Sequence, residues 1–125
     1  MGLLGLVAFV LTGQYMAMFL DGLNAMADGP RLLYRTSHLY LMWASLTNLV
    51  IGVHMSTPSE RGARAIQGAA SALLLVGPPL MMIGFFVESP ANDLDRMFCR
   101  LGNYFALAGT LLYVGASLRS TRHET

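Results

Sequence analysis

Four long apolar runs, at about 3–21, 37–55, 65–87 and 101–118, dominate the sequence, and no charged residue stands strictly inside any of them. A helix of a soluble bundle keeps a charged face for water. These runs have none. At about 1.5 Å per residue, some 18 to 20 residues cross the hydrocarbon layer of a bilayer, so each run is long enough to span. The expected architecture is all-α, a four-transmembrane-helix bundle forming a single integral membrane domain over residues 1–125.

Composition agrees. Hydrophobic residues make up 54% of the chain and charged residues 12%, about half the charged share of a globular protein. The eight cations are all arginine and the net charge is +1, which gives no basic patch for nucleic acid. The only cysteine, Cys99, excludes an intrachain disulfide, a four-cysteine zinc site and a dithiol pair. The run at the start has no positive lead and no clear small-residue cleavage site, so it reads as a span rather than a secretory signal.

The connections carry the charge. Residues 22–36 read as a polar connection with a turn signal at Gly29-Pro30. Residues 57–62 read as a short loop, with Thr57 or Ser59 as a helix N-cap. Residues 88–100 read as a third loop whose acids Glu88, Asp93 and Asp95 are solvated. Gly77-Pro78-Pro79 falls in the middle of the third run. Proline cannot donate to the preceding turn, so a kink is expected, and the freed carbonyls need a partner from another helix or from water. Four arginines fall on each side of the membrane, a tie under the positive-inside rule. The excess of acids on the side of the first and third loops favours both termini on the cytoplasmic side.

A partial internal repeat runs through the chain. With an offset of 65, Asp28, Arg31, Arg35 and His38 fall on Asp93, Arg96, Arg100 and Asn103. This pattern suits a duplicated two-helix hairpin, related by an axis along the membrane normal. His38, Leu41, Ser45, Asn48 and Gly52 share one helix face, and Asn103, Ala106, Thr110, Tyr113 and Ser117 occupy the same offsets. Small and polar stripes are where helices pack and hydrogen-bond in lipid. Gly102, Ala106 and Gly109 add a close-approach seam.

These stripes nominate a polar intramembrane site lined by Gln14, Asp21, Arg35, His38, Asn48 and Asn103. Histidine, arginine and tyrosine near a membrane interface can hold a quinone carbonyl, a haem propionate or an anion, and ionisable groups in a membrane mark functional sites. His38 is the one candidate metal ligand. His54 stands 16 residues further on, which at about 100° per residue turns it to the opposite side of the helix. The paired-haem pattern of a one-subunit cytochrome is therefore absent. The methionines read as core filler rather than copper ligands, Cys99 as inert, and Trp43 and Tyr40 as facing lipid or a neighbouring subunit.

No nucleophile elbow, phosphate loop, zinc motif or paired-carboxylate site is visible, so the chain offers little material for an enzyme. The first run lacks the membrane-embedded glutamate of small multidrug exporters, and the chain lacks the glycine-rich start and Thr-Thr-Phe-Ser motif of fluoride channels. The leading expectation is a small multi-pass membrane protein binding a quinone-like ligand or haem, as a homo-oligomer or an accessory subunit of a larger membrane complex. An oligomeric channel or transporter is the rival. An assembly protein without a ligand, held by its small-residue seams, is the third class.

Overall fold

In a computed structural model the chain is described over residues 1–54, 61–91 and 94–122, the last four by backbone alone. Four long helices account for nearly all of it: α1 (Gly2–Phe19), α2 (Asp28–His54), α3 (Arg61–Ala91) and α4 (Met97–Arg122). A single 3-10 turn, Asp21–Leu23, links α1 to α2. The Thr57 and Ser59 cap candidates lie outside the described residues, as does Asp93.

Three helices, α1, α3 and α4, are long and apolar enough to cross a membrane. α2 has 27 residues, about 40 Å of helix, which is ample length. It is less apolar because Ser37, His38, Ser45, Thr47 and Asn48 interrupt its hydrophobic run. Ser37 and Ser45 are fully buried, and His38 and Asn48 half-buried. The polar groups of α2 thus turn towards the other helices, where hydrogen bonds can satisfy them.

α3 and α4 form the tightest pair. On α3, the buried residues Ala70, Leu74, Gly77, Met81, Gly84 and Glu88 follow one another at steps of three and four. On α4, Cys99, Gly102, Ala106, Gly109 and Ala116 form the facing stripe. Such a seam keeps two helices in register over many turns. Its small residues let the backbones touch. A Cβ at Gly102 would come within 2.9 Å of the Gly77 carbonyl, and one at Gly109 within 2.9 Å of the Ala70 carbonyl. The Gly102–Gly109 seam is therefore used inside the chain, against α3. α2 packs against α3 and, on another side, against α1, whereas α2 and α4 meet only lightly. Leu41, Ala44, Met81 and Ala106 form the central core. A second cluster joins Leu23, Tyr34 and Phe85 with Tyr15 and Met16 packed on it.

Two of the expected connections are helix in part. α2 begins at Asp28, inside the expected connection 22–36, and includes Gly29 and Pro30 in its first turn. The N–H groups of a first turn have no acceptor within the helix, so proline costs nothing there. α3 continues to Ala91, past the expected end at residue 87, and carries Glu88 with it.

α3 also runs on through Pro78 and Pro79. Proline at 78 leaves the Leu74 carbonyl without its partner in the helix ladder. Asn48 supplies one: its Nδ2 donates to Leu74 O at 2.8 Å and to Ala44 O at 2.9 Å. The cost of breaking the ladder is met by a side chain of α2.

Asn48→Ala should lower the unfolding free energy in detergent by about 1 kcal/mol, the size of an interhelical hydrogen bond in a membrane protein. In a Pro78→Ala background, where the ladder can close, the same change should cost less. An equal cost in both backgrounds would show that Asn48 acts elsewhere.

Candidate functional site

The N-terminus of α4 is built by side chains from two other helices. The Phe98 and Cys99 N–H groups donate to the Glu88 carboxylate of α3. Backbone N–H groups in a first helical turn have no partner within the helix and carry partial positive charge, so a carboxylate there is stabilised. Glu88 is only 3% exposed. It is a buried helix cap, not the solvated loop acid that its flanking sequence suggested. The apolar run ends at Val87, but the three-and-four stripe of α3 continues in phase from Gly84 to Glu88. That phase was the available signal.

Arg96 precedes α4 in a left-handed conformation, with φ of 47°, a strain of about 1–2 kcal/mol for a residue with a Cβ. The guanidinium reaches α2. Nη1 donates to Thr36 Oγ1 at 2.7 Å and Nη2 to Ser37 Oγ at 2.6 Å. Nη2 also lies 3.4 Å from Cys99 Sγ. The guanidinium carbon stands 5.6 Å from the centroid of the Tyr40 ring, within cation–π range. Ser37 in turn bonds Ser89 at 3.2 Å and Cys99 at 3.5 Å. One buried polar network thus ties α2, α3 and the start of α4. Cys99 is buried within it, bonded rather than isolated.

Beside this network opens a cleft of about 330 Å³, lined by Tyr40, Asp95, Arg96, Arg100, Asn103 and Tyr104, with Leu94 and Cys99. Arg100 pairs with Asp95 at 2.9 Å. Next to it, where α2 and α4 part, runs an apolar groove of about 310 Å³ lined by Trp43, Thr47, Asn103, Ala106, Leu107 and Thr110. Asn103 lines both spaces. Trp43 is 66% exposed on the groove's edge. A cavity of this size suits a small ligand, and the shared Asn103 sets a polar space beside an apolar one.

The six residues nominated from sequence are not gathered in one cavity. Asn103 is half-buried and belongs to the cleft. Asn48 lines a separate cavity with Ser71 and Leu75, and its amide is engaged by Leu74. His38 is half-buried against α1: Nδ1 lies 3.0 Å from Thr12 Oγ1, and the ring stacks on Phe9 with centroids 4.1 Å apart. Its far edge rests against Gly13, where an added Cβ would come within 3.2 Å of Cε1. Gln14 on α1, Asp21 in the 3-10 turn and Arg35 on α2 are exposed. Among the described residues no group of three or more His, Cys, Asp or Glu side chains is placed to hold a metal ion.

The repeat places its arginines in unlike surroundings. Arg31 donates to Met26 O and pairs with the exposed Asp28, whereas Arg96 is inserted between α2 and α4. Tyr40, Tyr104, Thr36 and Ser89 were not among the nominated residues. Single polar or aromatic residues near a membrane interface are common anchors, and nothing in their spacing set these apart.

Comparison with protein families, curated proteins and solved structures finds none that matches this chain.

Glu88→Ala would leave the first N–H groups of α4 buried without an acceptor. It should lower stability in detergent by about 1–3 kcal/mol. Hydrogen exchange should show the Phe98 and Cys99 amides losing protection before the rest of α4. Unchanged protection at those two amides would mean that the carboxylate does not cap the helix.

Proposed function

We propose that the chain is a four-span integral membrane protein that holds one small amphipathic molecule laterally between α2 and α4. The polar head sits in the cleft of Arg96, Arg100, Asn103 and Tyr104. The tail lies along Trp43, Thr47, Leu107 and Thr110. The observation that carries this reading is that a donor-rich cleft and an apolar groove share Asn103 in their linings. α2 counts as the fourth span because its polar residues turn inward while Leu39, Trp43, Leu46, Val50 and Val53 face out.

Arginine, amide and phenol groups all donate hydrogen bonds, so the head must offer acceptors. A quinone-like molecule has that form, and so does a lipid with an acceptor-rich head. Haem has less support, because His38 lines neither the cleft nor the groove. A transporter could use the proline pair of α3 as a broken helix, but the hydrogen bond from Asn48 to Leu74 gives the freed carbonyl a structural partner. Both termini lie on the cytoplasmic side in this reading, and exposed Trp43 offers an edge to a second copy or to a larger membrane complex.

Native mass spectrometry of the protein released gently from its own membrane tests the proposal. Each chain should carry extra mass corresponding to one small molecule. Thr47→Trp, which fills the groove, should abolish that mass while leaving the fold intact by circular dichroism. A bare homo-oligomer would overturn the reading in favour of a channel. A hetero-complex with no small molecule would make the chain an accessory subunit.

A further inference from the structure

We infer that the molecule held between α2 and α4 is an acidic lipid, with a phosphate-bearing head on Arg96 and Arg100 and one chain in the groove. The inference rests on the reading of the cleft given above and narrows it to a chemical class. The described side chains that line the cleft include two cations, Arg96 and Arg100, against one acid, Asp95. Asp95 already accepts from Arg100 Nη1 at 2.9 Å.

Arg96 has no carboxylate within ion-pair distance among the described residues; its described hydrogen-bond partners are Thr36, Ser37 and Cys99, with the Tyr40 face beneath it. A neutral hydroxyl or thiol orients a guanidinium without neutralising it. The nearby Glu88 carboxylate is committed to the Phe98 and Cys99 N–H groups, so the described side chains of the cleft present a net positive charge that attracts an anion. The remaining polar lining, the Asn103 amide and the Tyr104 and Tyr40 hydroxyls, can donate to further phosphate oxygens. A neutral quinone carbonyl would use these donors but leave the positive charge unanswered.

The groove decides between a lipid and a free anion. It begins at the same Asn103 and runs between Trp43 and Leu107 on the lipid-facing side of the bundle. A soluble phosphate would fill the cleft and leave this apolar surface unused. A lipid occupies both.

The test uses the full chain in nanodiscs or in a neutral detergent, with lipid retention read by native mass spectrometry. Phosphatidylglycerol, phosphatidylcholine, a short-chain alkyl benzoquinone and inorganic phosphate are offered separately. Phosphatidylglycerol should be retained at one per chain, at least about tenfold more tightly than phosphatidylcholine or the quinone. Its retention should weaken as salt is raised, and inorganic phosphate alone should give no stable adduct.

Arg100→Gln changes a half-exposed side chain, so the fold should survive, and phosphatidylglycerol retention should fall about tenfold. Arg96→Gln should abolish the preference for the acidic lipid. If that variant fails to fold, Arg100→Gln carries the test. Equal retention of the two phospholipids, tighter retention of the quinone, or no effect of Arg100→Gln would overturn the acidic-lipid inference. If Thr47→Trp still removed the retained molecule in those cases, the cleft would remain a binding site for an amphipath of another kind. If Thr47→Trp left phosphatidylglycerol retention unchanged, both the inference and the reading beneath it would fall.

Discussion

The close approach of α3 and α4 is the constraint on which the rest of the molecule depends. Gly77 and Gly102 bring the two backbones together, and Gly109 repeats the approach against the Ala70 carbonyl one heptad further on. Apolar side chains gain little from leaving lipid for another helix, so association in a membrane relies on close packing and hydrogen bonds. Glycine supplies the first at this seam. The same approach carries Glu88 to the first N–H groups of α4, and so fixes where α4 begins. Arg96, one residue before the helix, is thereby turned onto α2.

α2 is the helix on which these interactions converge. It gives Thr36 and Ser37 to Arg96, Asn48 to the carbonyl freed by Pro78, and His38 and Ser45 to the surface that meets α1. Each is a polar group that lipid could not satisfy. Their cost in apolarity is why α2 falls short of its neighbours as a hydrophobic span, and packing against the other helices is what satisfies them. Because α2 meets α3 and α1 closely but α4 only lightly, α2 and α4 stand parted on one side of the bundle, as α1 and α3 do on another. The cleft and groove occupy the first of these gaps. An open space therefore lies where α2 and α4 part, beside the polar network of Arg96, Ser37 and Glu88.

Much of this was legible in order along the chain. The apolar runs give the helices, and Gly102, Ala106 and Gly109 mark a packing seam. Pro78 announces a carbonyl in need of a donor. The partners were not legible. Asn48 and Leu74 are 26 residues apart, Arg96 and Ser37 are 59 apart, and no local pattern links them. Glu88 was misread because the change from apolar to charged residues resembles the end of a span. In fact the helix continues, and its buried stripe simply changes from glycine to carboxylate. His38, an ionisable group in a long apolar run, stacks on Phe9 and meets Thr12, contacts that no local pattern announced.

By itself, the sequence determined that the chain is helical, that its helices are long and apolar, and which faces carry small and polar residues. Those properties depend on periodicity and composition, which are local. Only the tertiary structure decided which stripes meet and which part. Glu88 and Arg96 became a cap and a clasp, and Asn103, rather than Gln14, Asp21 or Arg35, came to line a cleft. The reason is physical: hydrogen bonds and backbone approach depend on distances of about 3 Å between residues far apart in the chain. Those distances exist only once the helices have packed.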